Sequence, residues 1–271
     1  MIMKNNPFVA LCVLAALTML YVAAPAAAQP GNLEIVGTGD GIDVLQALAA
    51  EFKTQENSIS IEIPPSIGSG GGIAAVGSGK ATLGRIARKL SAAEGATGIV
   101  YKAFARLPSA FFVNSSAGVT SLTTKQLLGV YSGEVTNWKE VGGTDLRIRV
   151  VRREDADSTL TGLRAAMPGW KDLVITDKSK TATTTQEAIE TVREVPGTIG
   201  FGPFSRTLEN GMTVLKIDGR YPNDPQYPSS VELALIYKEA TVTPQARKFV
   251  DFVTTPKARG IVANMGNIPA P

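Results

Sequence analysis

The pattern that most narrows the possible folds is a β-prone segment running into a glycine cluster and then into helical spacing, and it occurs twice. Residues 33–36 read as a strand leading into Gly37-Thr38-Gly39-Asp40-Gly41, after which Ile42, Leu45, Leu48, Ala49 and Phe52 recur at helical intervals. Residues 59–63 alternate as a second strand and end at Pro64-Pro65. Gly68-Ser69-Gly70-Gly71-Gly72 follows and opens a helix that closes near residues 77–79. Strand and helix signals keep alternating, which predicts an α/β architecture with largely parallel sheets. Thr123-x-x-Gln126 and Thr184-x-x-Glu187 have capping-box spacing, so each predicts a helix start. Pro244 and Pro256 fall in the first turns of the last two predicted helices.

Two apolar runs, 110–113 and 233–237, are β-prone, free of turn residues and suited to buried strands. The stretch between them is long enough to build a unit of its own. A chain that leaves one domain, builds a second and returns would cross at these strands. The expected division is a discontinuous first domain, 29–112 plus 231–271, and a second domain, 113–230.

Composition removes whole classes of chemistry. The 271 residues contain no histidine, so Ser-His-Asp, Cys-His and His-metal mechanisms are excluded. Cys12 is the single cysteine, which leaves no internal disulfide and no Cys-rich metal site. The net charge is +3 with no basic block, so broad nucleic-acid or anionic-membrane binding is not expected. Lys4, an apolar run over 8–24 and Ala26-Ala27-Ala28 before Gln29 have the layout of a secretory signal peptide. Residues 1–28 are therefore expected to be cleaved, delivering a cysteine-free chain to the periplasm.

Glycine lets backbone N–H groups face outward, and a helix start adds free donors and positive potential. The two glycine segments thus suit a small anion, although tight strand-to-helix turns explain either one alone. Nucleotide motifs fail: Gly79-Lys80 is followed by Ala81 and preceded at the required distance by Ala74, and Gly37-x-Gly39-x-Gly41 lacks dinucleotide spacing. Arg147, Arg149 and Arg153 share one parity of a strand whose end meets a helix start at Ser158-Thr159. Arg153 could offer its planar fork to an oxyanion there, or pair with Asp155 or Asp157. Asp155-x-Asp157 opens like a calcium loop but has Leu160 where glycine is needed and Ala166 where the closing acid belongs, so no metal is expected. Arg85, Arg88 and Lys89 form a small basic group that suits a ligand or a solvated face.

Taken in order, Gly68–Gly72, Leu122-Thr123-x-x-Gln126-Leu127, the run Tyr131-Ser132-Gly133-Glu134-Val135-Thr136-Asn137-Trp138-Lys139-Glu140-Val141-Gly142-Gly143, Arg153-x-Asp155 and Pro196-Gly197-Thr198-Ile199-Gly200-Phe201 resemble phosphate-binding proteins of bacterial phosphate ABC transporters. The resemblance spans nearly the whole chain after residue 28, and the Ser-Gly…Asn-Trp…Gly-Gly stretch is its most specific part. It implies a two-domain type II periplasmic binding protein fold with a ligand cleft between the domains. Carried over by position, it implies ligand contacts from Thr38, from the backbone N–H groups of Gly41 and Ile42, from Ser69 with Gly70 beside it, and from Arg153, Asp157, Ser158 and Thr159. Asp40, Arg85 and Arg88 are further candidates.

Two departures from the family pattern bear on the ligand. A serine of the family is Asp157 here, and the family's proton-accepting aspartate falls at Ala87. Asp157 is expected to take over that acceptor role, which would reject fully deprotonated sulfate because two acceptors would face each other. Its replacement by serine should then weaken phosphate binding and relax that discrimination. The expected protein is a monomeric, non-enzymatic receptor that needs no cofactor, captures a small oxyanion by domain closure and passes it to an ABC permease in the inner membrane. Inorganic phosphate is the first choice of ligand. The alternatives are a different anion or small acidic solute, or a sensor or adhesion module using the same clamp; Asp155 and Asp157 as a hydrolytic carboxylate pair represent the enzyme class.

Overall fold

A computed structural model describes residues 31–270. The expected signal peptide, 1–28, lies outside the described residues. The first lobe begins with β1 (Gly31–Gly37), α1 (Ile42–Gln55), β2 (Ile59–Glu62), α2 (Gly68–Gly77), β3 (Leu83–Ile86) and a one-turn α3 (Ala92–Gly95). The long strand β4 (Ile99–Asn114) leads out of it to β5 (Ser121–Leu122), α4 (Thr124–Ser132), β6 (Arg149–Arg153), α5 (Ser158–Ala166), β7 (Lys180–Ala182), α6 (Thr185–Glu194), β8 (Thr198–Pro203), β9 (Met212–Val214) and β10 (Lys216–Ile217). The return is β11 (Ser230–Lys238), followed by α7 (Pro244–Phe252), α8 (Pro256–Asn264) and β12 (Ile268–Pro269).

Ten of the strands form a sheet in the order β2-β1-β3-β11-β4-β8-β6-β7, with β9 and β12 also on β4, while β5 and β10 pair separately. The expectation of largely parallel sheets holds only towards the two edges, where β1 pairs β2 and β3, and β6 pairs β7 and β8, in parallel. The centre is antiparallel: β11 runs against β3 and β4, and β4 against β8. The cause is the chain path. β4 carries the chain out of the first group of elements, and β11 brings it back alongside in the opposite direction.

β4 changes partner midway. Ile99–Pro108 pairs with β11 and Ser109–Val113 with β8. The exchange is clamped by the Ser109 N–H on the Ser229 carbonyl (2.9 Å) and the Ser229 hydroxyl on Ser109 Oγ (2.9 Å). On one side of this point Leu33, Ile35, Leu48, Phe52, Leu107, Leu233 and Phe249 pack into a common core. On the other, Phe111, Tyr131, Trp138, Trp170 and Phe201 form the second. Trp170 stands edge-on to Phe201 (5.7 Å, 85°), and the buried Trp138 indole donates to the Gly197 carbonyl at 2.9 Å.

Local signals are realised closely. Thr123 and Gln126 form a reciprocal capping box at α4, and Pro244 and Pro256 sit in the first turns of α7 and α8 behind Thr243 and Thr255 caps. Thr184 caps α6 through the Glu187 N–H, but the Glu187 carboxylate turns instead to the Thr183 N–H and hydroxyl. The second glycine run lies inside α2 rather than before it. At Gly72 the reason is contact: a Cβ there would stand 2.9 Å from the Gly37 Cα and 3.2 Å from the Arg85 carbonyl oxygen, so only glycine lets α2 lie against β1 and β3.

Candidate functional site

Four helix starts converge where the two lobes face each other. Asp40 precedes α1, Ser69 is the second residue of α2, Ser158 and Thr159 open α5, and Thr185 opens α6. All five side chains are buried. The Ser69 and Ser158 hydroxyls are 3.0 Å apart, and Ser69 Oγ also accepts the Ala87 N–H at 3.1 Å. The Asp40 carboxylate accepts from the Thr185 hydroxyl (2.7 Å) and the Thr159 hydroxyl (3.3 Å). Gln186 Nε2 donates to the Gly39 carbonyl (2.9 Å), and the Thr207 hydroxyl to Asp43 (2.8 Å), outside the buried centre. Each of these bonds, apart from the Ala87–Ser69 contact, joins one lobe to the other.

Arg153, at the end of β6, is 6% exposed and held on every side. Its Nη2 pairs with Asp157 at 3.0 Å, Nη1 donates to Thr185 Oγ1 at 2.8 Å, and Nε donates to the Ala182 carbonyl at 3.1 Å. The Arg153–Asp157 pair left open by the sequence therefore forms, but in the interior, where truncating one partner strands a charge. Asp155 pairs with Arg152 at the surface instead. Asp157 also caps α5 by accepting the Leu160 N–H at 2.9 Å.

The pocket holds two carboxyls beside one guanidinium. Burial, reinforced by the Asp40 carboxylate, pushes Asp157 up to about 7 against the pull of Arg153 and of backbone N–H donors. Burial also holds Asp40 above its usual 3.8, opposed by the Thr185 bond, Arg153 and the Thr159 bond. Both carboxyls are thus biased towards their protonated forms relative to an exposed aspartate.

The N-terminal caps divide the helices. Asp157 and Thr184 satisfy the starts of α5 and α6, and Ser91, Thr123, Thr243 and Thr255 those of α3, α4, α7 and α8. Among the described residues, α1 and α2 are the two α-helices without a side-chain cap bond, and both start at this site. Gly41, in the left-handed region at φ 69°, and Ile67 hold the cap positions. Val44 N–H turns to Asp43 Oδ1 and Gly68 N–H to Ser66 Oγ, which leaves the first-turn N–H groups of Ile42, Asp43, Ser69 and Gly70 without a hydrogen-bond partner among the described residues.

The expected contacts are placed as follows. Thr38, Gly41, Ser69, Arg153, Ser158 and Thr159 are buried, Asp157 and Ile42 are partly buried, and Gly70 is exposed on α2. Thr38 Oγ1 accepts the Asp40 N–H at 3.2 Å, which shapes the first loop. Arg85 is fully buried, but its guanidinium donates to the carbonyls of Thr38 (2.6 Å), Pro64 (2.7 Å) and Ile35, and burial lowers it to about 10. It braces the loop from behind. Arg88 turns away and makes a two-pronged contact with Glu94 at 2.8 Å. Thr185 and Gln186 were not singled out from sequence. Thr184-x-x-Glu187 marks the start of α6, but nothing local tells that it faces Asp40, 145 positions away. A cavity of about 290 Å³ adjoins the site, with Gly41, Ile42, Thr185 and Gln186 in its wall.

Two α/β lobes, joined through long central strands and facing each other over buried hydroxyls, a guanidinium and open helix starts, define a two-domain solute-binding protein of the type II periplasmic class. The chain belongs to the PBP superfamily: the family model described as "PBP superfamily domain" matches residues 22–257. It is similar to the phosphate-binding protein PstS of Bacillus subtilis, 27% identical over 98% of this chain and 95% of that protein. Among solved structures it is similar to a phosphate-bound substrate-binding protein ascribed to a phosphate ABC transporter of Clostridium perfringens, with 29% identity and a TM-score of 0.78, covering 89% of this chain and all of that one. A phosphate transport receptor from Vibrio cholerae shares the fold at 22% identity and a TM-score of 0.61, over 89% of this chain and all of that one.

Proposed function

We propose that this chain is a periplasmic receptor that captures inorganic phosphate between its lobes and hands it to an ABC permease in the inner membrane, acting as a monomer and without chemical conversion. The first lobe would comprise 29–112 and 231–271, and the second 113–230. The observation that carries the reading is the pair of uncapped helices, α1 and α2, facing Arg153 and the Ser69, Ser158 and Thr159 hydroxyls in one buried site. A dehydrated oxyanion needs many donors, and this pocket concentrates them. The similarity to phosphate-binding relatives supports the same ligand. The test is thermal unfolding of ligand-stripped protein with phosphate, arsenate, sulfate, molybdate and small carboxylates. Phosphate at a hundred times its Kd should add about 2.7 kcal/mol. No shift with phosphate alongside a shift with another solute would reassign the ligand.

The two carboxyls sharpen the proposal. Two acceptors beside a dianion are repulsive unless protons lie between them, so the complex should carry one proton more than a site with a single aspartate. Phosphate binding at pH 8 is expected to take up a proton, read by titration calorimetry in two buffers of different ionisation enthalpy. Affinity falls as pH rises above 7, and Asp157→Asn diminishes both effects. A flat profile with no uptake would show that the carboxyls do not face the ligand.

Stability without ligand moves the same way. A carboxyl held at about 7 in the folded chain, against 3.8 ordinarily, keeps its proton longer folded than unfolded. Its contribution is full below about pH 4 and is lost as pH rises to about 7. The melting temperature should fall across that window, and more shallowly in Asp157→Asn.

A further inference from the structure

Another cavity lies away from the proposed phosphate site. It lies in the second lobe, about 780 Å³, beside the opposite end of β6. Arg149 begins that strand and Arg153 ends it, so about 13 Å of extended chain separates them. Part of the wall is apolar, with Val130, Val135, Ile148 and Val150 contributing. Arg147, Arg149, Lys178 and Lys180 also line it, and no carboxylate does.

These cations are unevenly engaged. Lys180 pairs with Glu187 at 3.2 Å, and Arg149 donates to the Pro196 carbonyl at 2.8 Å. Arg147 and Lys178 make no ion pair or side-chain hydrogen bond from their charged groups with any described residue. An independent observation comes from the wall itself. Thr198, 1% exposed on β8, lines the cavity, and its hydroxyl finds no hydrogen-bond partner among the described residues. Such a buried hydroxyl costs free energy while it lacks a partner.

We infer that this cavity is a second ligand site, for a small amphiphilic monoanion. An apolar body of one or two rings, or a medium acyl chain, would cover the valine and isoleucine wall. A carboxylate or sulfonate head would meet Arg147 and Lys178. The volume falls within the range of pockets that enclose organic ligands. Inorganic phosphate does not suit it, because one wall is apolar and the space far exceeds a single tetrahedral anion.

The test uses the full mature chain with anilinonaphthalene sulfonate as a fluorescent probe and decanoate as competitor. One saturable site is expected, unaffected by saturating phosphate, displaced by decanoate and not by decyltrimethylammonium. Arg147→Glu with Lys178→Glu should weaken the probe by about tenfold or more, equivalent to about 1.4 kcal/mol, while leaving the thermal response to phosphate intact. An unchanged circular dichroism spectrum and a cooperative unfolding transition without ligand certify the fold of the variant, whatever the fate of the phosphate proposal. Non-saturable binding, displacement by phosphate, or an affinity untouched by charge reversal would overturn the inference.

Discussion

Arg153→Ala is expected to abolish useful phosphate capture, with affinity falling by about two to three orders of magnitude, and to destabilise the chain as well. The affinity loss follows from removing the guanidinium proposed to meet the ligand, since truncating a buried charge partner costs about 2–5 kcal/mol. The stability loss has a different origin. Asp157 stays buried without its 3.0 Å partner, and Thr185 and the Ala182 carbonyl each lose a donor. Breaking such a pair costs about 3–5 kcal/mol. The two consequences separate in the double variant Arg153→Met/Asp157→Asn, which removes both charges. Its melting temperature should recover much of the loss while calorimetry still detects no tight phosphate binding. An Arg153→Ala protein that keeps the parent affinity would refute the site.

Gly37→Ala should be still more damaging to the fold. Gly37 ends β1 at φ 138°, in a region that side chains avoid, and an added Cβ would stand 2.0 Å from the Arg85 carbonyl oxygen. That oxygen belongs to the backbone of β3 and accepts the Thr38 N–H at 3.1 Å, so it cannot swing aside. Relief requires separating β1 from β3, which disturbs the first loop, the Arg85 brace and the seat of α2 together. A cost of about 4 kcal/mol or more is expected, read by denaturant titration or by loss of soluble protein. Gly70→Ala is the contrast: a Cβ there meets nothing within 4 Å, and alanine favours a helix by up to about 1 kcal/mol. Equal effects at the two positions would contradict the packing argument.

These two glycines show where sequence reading reaches its limit. The glycine clusters announced a place where backbone must stay bare, and that is correct in kind. Whether a given glycine serves close packing, as Gly72 does, or merely faces open space, as Gly70 does, depends on elements distant in the chain. Caps were legible because their partners lie three or four residues away: Thr123 with Gln126, and Thr184 with the Glu187 N–H. The Arg153–Asp157 contact was legible for the same reason. Asp40 with Thr185 was not, since only the closure of two lobes brings them together. The antiparallel centre of the sheet was hidden because residue patterns mark strands without marking their direction. Arg85 looked like charge available to a ligand, and three backbone carbonyls from separate segments occupy it instead.

The exchange of partners along β4 also sets the mechanics of the protein. Two neighbouring strands, tied at Ser109 and Ser229, connect the lobes, and such a ribbon flexes out of its plane far more readily than it slides along its length. For a clamp of the kind proposed, such a hinge would restrict opening to a swing about one axis, like a book on its spine. Under the proposed function the mouth would gape on the face that carries the starts of α1, α2, α5 and α6, so a guest would enter and leave by one door.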